Sequence, residues 1–245
     1  MSNLTSLTPP RVWGGHAESG PRGLIASHGM LGMLPEHDLA ELMHRSTIRN
    51  LRRRAVVFRQ GDPGSTVNLV LLGYVKLSKT LVDGRDVVLE IVGPGEAFGE
   101  VAVLNKWAHE ADARALSDCR LLSIDGRDFR RTFDSRPECF LTIMRLVSER
   151  LQRMTEQMVD ALALSAQARL AKAIMLLARL RSSSPEHRGK VQLTLSQTEL
   201  GAMTGLTRES VNKHLGVWRE AGWILLSDRS VTLIDVSALS DIALG

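Results

Sequence analysis

Arg208, Glu209, Asn212 and Lys213 fall at spacings that put them on one side of a helix, away from Val211 and Leu215. Arg and Lys can pair with guanine O6 and N7, and Glu can accept from cytosine N4, so this face could read base edges. The same cations could instead only neutralise phosphates, or the face could be an ordinary solvated one. The flanking residues favour the first reading. Ser196-Gln197-Thr198-Glu199 has the form of a capping box, in which hydroxyl and carboxylate each satisfy an orphan N–H at a helix start. It predicts a short helix to about Thr204. Gly205 suits a sharp turn with positive φ, and Gly201 leaves room for a second helix to pack closely. Thr207 caps that helix, Arg208 to about Glu220, and Gly222 ends it. Two strands, Trp223–Leu226 and Val231–Ile234, joined by Ser227-Asp228-Arg229-Ser230, then form a wing. The order is that of a winged helix-turn-helix.

Other chemistries find little support. The sequence shows no nucleophile–base pair, no metal-ligand set and no phosphate-cradling Gly-rich loop, and Glu100 with Glu110 is a poor acid–base pair, so an enzyme is not expected. Cys119 and Cys139 stand outside any C-x-x-C pair, which argues against a zinc finger, a four-thiolate cluster and a disulfide scaffold. His28, His37 and His44 lack metal-ligand spacing. Aromatic residues make up only 4%, against a stacking platform for single strands. A net charge of +4 permits a nucleic-acid partner without requiring one. No run of about 18 apolar residues and no signal sequence is found, so no membrane association and a reducing, cytoplasmic location are expected.

The elements that must position the polar face occupy the rest of the 245 residues. Residues 1–24 are rich in Gly and Pro and read as a flexible arm. A short helix is expected from about Leu34 to His44, followed by a cluster of Arg45, Arg49, Arg52, Arg53 and Arg54, either a solvated edge or a phosphate-contacting patch. Residues 25–136 carry short strand-like runs: Ala55–Phe58, Val67–Leu72, Val75–Leu81, Val87–Val92, Ala97–Phe98 and Arg120–Ile124. Gly- and Asp-rich turns separate them, which indicates an antiparallel roll. Between 137 and 164, Met144, Val147, Leu151, Met154, Met158 and Ala161 alternate at spacings of three and four, an a/d seam suited to a parallel homodimer. Ser165 caps a further helix, Ala166 to Leu180, and marks a hinge to a domain spanning 165–245. The fold class is therefore α+β: a β roll (a jelly roll), a long dimerisation helix and a winged helix-turn-helix.

In this order, GDPGSTVNLVLLGYVKLSK, DGRDVVLEIVGPGEAFGEVAVL, the long helix and SQTELGAMTGLTRESVNKHLGVWREAGWI resemble the family of the catabolite activator protein and the fumarate-nitrate regulator, over about residues 30–235. The resemblance implies a cyclic-nucleotide-binding-like roll and a homodimer on palindromic double-stranded DNA operators. It carries base reading to Arg208, Glu209 and Lys213. Lys213 departs from the Arg of the cyclic-AMP receptor and is less suited to bidentate guanine contact, so TGTGA-like half-sites are one expectation. Thr207 and Ser196 are implied as phosphate donors, with Arg229, Arg169 and Lys172 as weaker candidates. A contact with RNA polymerase is left open.

The effector pocket departs further. Gly99-Glu100 matches the family's phosphate-binding cassette, with Glu100 placed to accept from a ribose hydroxyl. The family's Arg-Ser falls on Glu110-Ala111, where a carboxylate would repel a cyclic phosphate. Its adenine-contacting pair falls on Met154-Thr155, half of it missing. Some members of the family that respond to cyclic di-GMP also lack the cassette Arg, so the resemblance implies cyclic di-GMP, or no effector, ahead of cyclic AMP. The resemblance offers no cysteine set for an iron–sulfur cluster, and haem is not expected. The alternative is an effector-sensing module acting on a protein partner, with a vestigial helix-turn-helix.

Overall fold

Strands rich in Val and Leu, cut by turn glycines, pair antiparallel, and in the roll most partners lie far apart in sequence. The computed structural model describes residues 31–136, 139–182, 192–193, 196–227 and 230–244. The expected flexible arm therefore lies outside the described residues.

The roll has two four-stranded sheets. One orders β1 (Thr47–Leu51), β8 (Cys119–Asp125), β3 (Thr66–Leu72) and β6 (Ala97–Phe98). The other orders β2 (Val56–Phe58), β7 (Asp112–Ala115), β4 (Val75–Thr80) and β5 (Asp86–Val92). Successive strand side chains point to opposite faces, so β3 serves two cores. Val70 joins Val75, Val92, Phe98, Ala113 and Leu121 in one buried cluster. Val67, Leu69 and Leu71 join another, with α1 (Glu36–Arg45), α2 (Glu100–Asn105) and α3 (Gly126–Asp134) contributing Leu42, Val103, Phe129 and Phe133.

Several of these elements were not foreseen or were read otherwise. Part of the arginine cluster is β1, an edge strand with mostly exposed side chains, which hides its period-two pattern among charges. β7 buries only Ala113 and Ala115, too small to register as an apolar run. The helices α2, α3 and the C-terminal α8 (Val236–Ala243) are short, and their apolar faces are legible only against the sheets and helices they cover.

Helix α4 (Phe140–Ala163) begins on the roll, where Ile143 and Leu146 pack on the core, and then runs free. Every residue from Leu151 to Val159 is exposed. Ser165 caps α5 (Ala166–Ser182), its hydroxyl accepting from the Ala168 amide at 3.1 Å. The C-terminal core gathers α5, α6 (Gln197–Thr204), α7 (Arg208–Glu220), α8 and the sheet β10–β11–β9 around the fully buried Trp218. The strands are β9 (Gln192–Leu193), β10 (Ile224–Ser227) and β11 (Ser230–Leu233), so the wing hairpin gains a third strand. Among the described residues, no helix is long and apolar enough to cross a membrane.

Candidate nucleic-acid interface

Both helices of the C-terminal pair start on side-chain caps. The Ser196 amide donates to Glu199 Oε2 at 2.8 Å, and the Glu199 amide donates to Ser196 Oγ at 3.2 Å, so the capping box forms in full. Thr207 Oγ1 accepts from the Ser210 amide at 3.2 Å and starts α7. Gly205 between the helices has a φ of 68°, the left-handed value that favours glycine. Gly201 is a steric requirement: a Cβ there would lie 2.6 Å from the Leu206 carbonyl oxygen. The turn backbone itself, more than the second helix, needs the space.

On α7, Val211, Leu215 and Trp218 are buried, while Arg208, Glu209, Asn212 and Lys213 are exposed. Helical periodicity alone produces that division once one stripe is committed to the core. The structure thus brings the four base-reading candidates together on one open face. Thr207 stands at its start, and the Ser196 cap is close by. Gln197 Nε2 donates to Asn212 Oδ1 at 3.2 Å, so the start of α6 and the reading face share a surface. Gln197 was read only as part of the capping box; its neighbour across the turn is set by tertiary packing. The Glu209 carboxyl is kept below the usual range by its own backbone N–H and the Thr207 hydroxyl. Arg229 lies outside the described residues.

Two weaker phosphate candidates have another task. Arg169 donates to the carbonyls of Thr204 at 3.2 Å, Ala161 at 3.1 Å and Leu164 at 3.2 Å. Lys172 pairs with Asp160. Both tie α5 to the end of α4 across the hinge, and Arg169 also reaches the helix-turn-helix.

In the roll, Glu100 opens α2 directly after Gly99, which has a φ of 89°. One oxygen of its carboxylate is occupied from the long helix. Arg150 Nη1 donates to Glu100 Oε1 at 2.5 Å, Nε lies 3.0 Å from Glu90 Oε2, and Nη2 donates to the Ala97 carbonyl at 3.3 Å. Arg153 adds a second cation 3.0 Å from Glu90. Burial would lower the Arg150 pKa, but Glu100 and Glu90 outweigh it and hold the guanidinium charged more firmly than usual. Glu100 Oε2 is buried without a hydrogen-bond partner. Glu96 beside this group is pushed up by burial, against the Gly93 amide bond.

The other pocket candidates do not converge on Glu100. Glu110 is exposed and Ala111 half-buried. The side chain turned inward is His109, whose Cε1 would sit 3.5 Å from a Cβ on Gly99 and whose ring stacks on Phe58 with centroids 3.5 Å apart. Burial lowers its pKa, opposed by the Asp62 charge, and favours the neutral imidazole. Met154 is exposed, and Thr155 Oγ1 donates to the Leu151 carbonyl of its own helix at 2.9 Å. Arg150 and His109 were missed in sequence; an arginine on a charged helix and a lone histidine give no local sign of a buried partner.

All six seam residues, Met144, Val147, Leu151, Met154, Met158 and Ala161, are exposed on α4. So are Leu141, at 77%, and Leu162, at 78%, which makes the stripe an unpartnered apolar surface on this chain.

A β roll with a charged junction to a long helix, followed by a winged helix-turn-helix with an open polar helix, defines a DNA-binding transcription regulator with a sensory-type domain. Residues 48–136 match the cyclic nucleotide-binding domain, and residues 168–242 match the Crp-like helix-turn-helix domain. The chain is 30% identical over 190 residues to the cyclic AMP receptor protein of Thermus thermophilus, spanning 77% of this chain and 84% of that one. It is 28% identical over 217 residues to the CRP-like cAMP-activated global transcriptional regulator of Mycobacterium tuberculosis, spanning 89% and 97%. A solved CRP-family transcriptional regulator from Thermus thermophilus superposes with a TM-score of 0.70 at 26% identity, over 80% of this chain and 97% of that one. The chain belongs to the CRP/FNR family of transcription regulators, and it is not an enzyme.

Proposed function

We propose that this protein is a homodimeric, cytoplasmic regulator that reads a two-fold symmetric operator with Arg208, Glu209, Asn212 and Lys213. Thr207 and Ser196 contact phosphates, and Arg229 reaches the flank from the wing. TGTGA-like half-sites, about one helical turn apart, fit Arg208 and Glu209. One observation carries this reading: α7 presents its charged residues to solvent beside the start of α6, with its apolar stripe of Val211, Leu215 and Trp218 buried in the C-terminal core. The exposed seam on α4 supplies the surface by which two copies pair, and polymerase contact belongs to the activator form of this reading.

DNA binding does not depend on cyclic AMP in this reading, although two relatives are named for that nucleotide. Arg150 already holds one oxygen of the Glu100 carboxylate, and the family's phosphate-pairing Arg position is the exposed Glu110, whose carboxylate would repel the phosphate. Cyclic di-GMP is the nucleotide to test against no effector at all.

Fluorescence anisotropy on palindromic duplexes tests the DNA reading. Arg208→Ala with Lys213→Ala should lose sequence-specific binding while sedimentation still shows a dimer. Unchanged specificity would sink it and favour a module that acts on a protein partner. Melting against each nucleotide tests the effector: a ligand at ~100 times its Kd stabilises by about 2.7 kcal/mol. A shift with cyclic AMP would overturn the effector reading.

A further inference from the structure

The arginine cluster of the roll lies beside the helix-turn-helix. Arg53 Nη2 is 3.3 Å from Glu199 Oε2, the same oxygen that accepts from the Ser196 amide and hydroxyl at 2.8 and 2.9 Å. Ser196 caps α6, and the next residue, Gln197, bonds Asn212 on the reading face. Arg53 therefore joins the turn between β1 and β2 to the edge of the DNA-facing surface through a continuous chain of contacts.

The turn is built. The Arg53 amide donates to the Asp118 carboxylate at 2.8 Å, and the Arg54 amide donates to the Ala115 carbonyl at 2.7 Å. Arg54 is held at a φ of 73°, a left-handed conformation that a non-glycine residue keeps only where its surroundings enforce it. On either side of the anchored Arg53, Arg52 and Arg54 are exposed, and neither guanidinium has an ion pair among the described residues. Lys76 lies close enough to Glu199 to lower its pKa. Free cations on a fixed turn, next to a helix N-terminus, match a polyanionic backbone better than a neutral surface.

We propose that Arg52 and Arg54 are a second DNA-backbone contact, made by the roll on duplex that flanks the operator, with Arg53–Glu199 as the strut that positions them. The inference rests on the DNA-reading face of α7. It adds a sequence-independent grip outside the recognised bases.

The test uses the full-length protein and a duplex that the wild type selects from a random pool. That duplex is made in two lengths, the selected core alone and the core with about one further helical turn on each side. The variant is Arg52→Gln with Arg54→Asn, since Asn tolerates the left-handed backbone. Its melting should match the wild type. Each lost phosphate contact makes the slope of log K against log salt shallower by about 0.9, so a dimer losing four contacts should change by ~3.6 on the long duplex. On the core duplex the change should be under half of one contact, roughly 0.4. Hydroxyl-radical protection of the flanks should vanish in the variant. Equal slopes for variant and wild type on the long duplex would refute the roll contact alone. If the wild type selects no sequence, the reading face fails and this inference fails with it.

Discussion

Arg150→Met removes the one cation that faces both Glu90 and Glu100. The three side chains are 24%, 17% and 15% exposed, so the pairs are largely but not wholly desolvated. Breaking a buried pair by removing one partner costs about 3–5 kcal/mol, and partial exposure places this site near the lower end, ~3 kcal/mol. Met keeps most of the side-chain volume, so little of that loss comes from a cavity. For a domain of this size about 1 kcal/mol shifts Tm by roughly 4–8 °C, so the roll should melt at least ~10 °C lower at pH 7. Arg153 still touches Glu90 at 3.0 Å, which leaves Glu100 the more exposed to the loss. Calorimetry at pH 7 reads the shift. A variant that melts with the wild type would falsify the assignment of Arg150 as the charge that holds α4 to the roll.

Other substitutions probe the remaining links. Leu151→Arg places a charge in the middle of the exposed seam and should convert the dimer to monomer by sedimentation; a persistent dimer means the copies pair elsewhere. Gly201→Ala forces a Cβ against the Leu206 carbonyl oxygen and should cost the C-terminal domain about 1–3 kcal/mol in denaturant melts, with the roll unaffected. Glu199→Gln should cost ~1 kcal/mol at pH 7 through the capping box. Burial raises the Glu199 pKa, but the Ser196 bonds and the Arg53 and Lys76 charges bring it below the ordinary value. Its contribution is therefore complete above about pH 4.3 and is lost as pH falls through the folded pKa. The wild type should lose more stability than the variant in that acid window; parallel acid curves would rule out a charged Glu199 strut.

Much of the C-terminal site was legible because its signals are local. A cap and its carboxylate stand three residues apart, Gly205 marks the turn, and Val211 and Leu215 fix which face of α7 is left outside. Each is decided within one or two helical turns, so the sequence order alone reports it. The seam on α4 is local in the same way, since a three-four alternation needs no partner to be seen. β1 and β7 were hidden because edge exposure and small alanines remove the alternation that marks a strand. The effector region and the arginine turn belong to tertiary structure altogether. Arg150 meets Glu100 across 50 residues, and Arg53 meets Glu199 across 146. His109, on the loop before β7, finds Phe58 only after β7 pairs with β2. Charges and rings on distant segments leave no periodic trace in the chain. Their pairing is set by which surfaces the packed cores bring into contact, and that is decided by the tertiary fold.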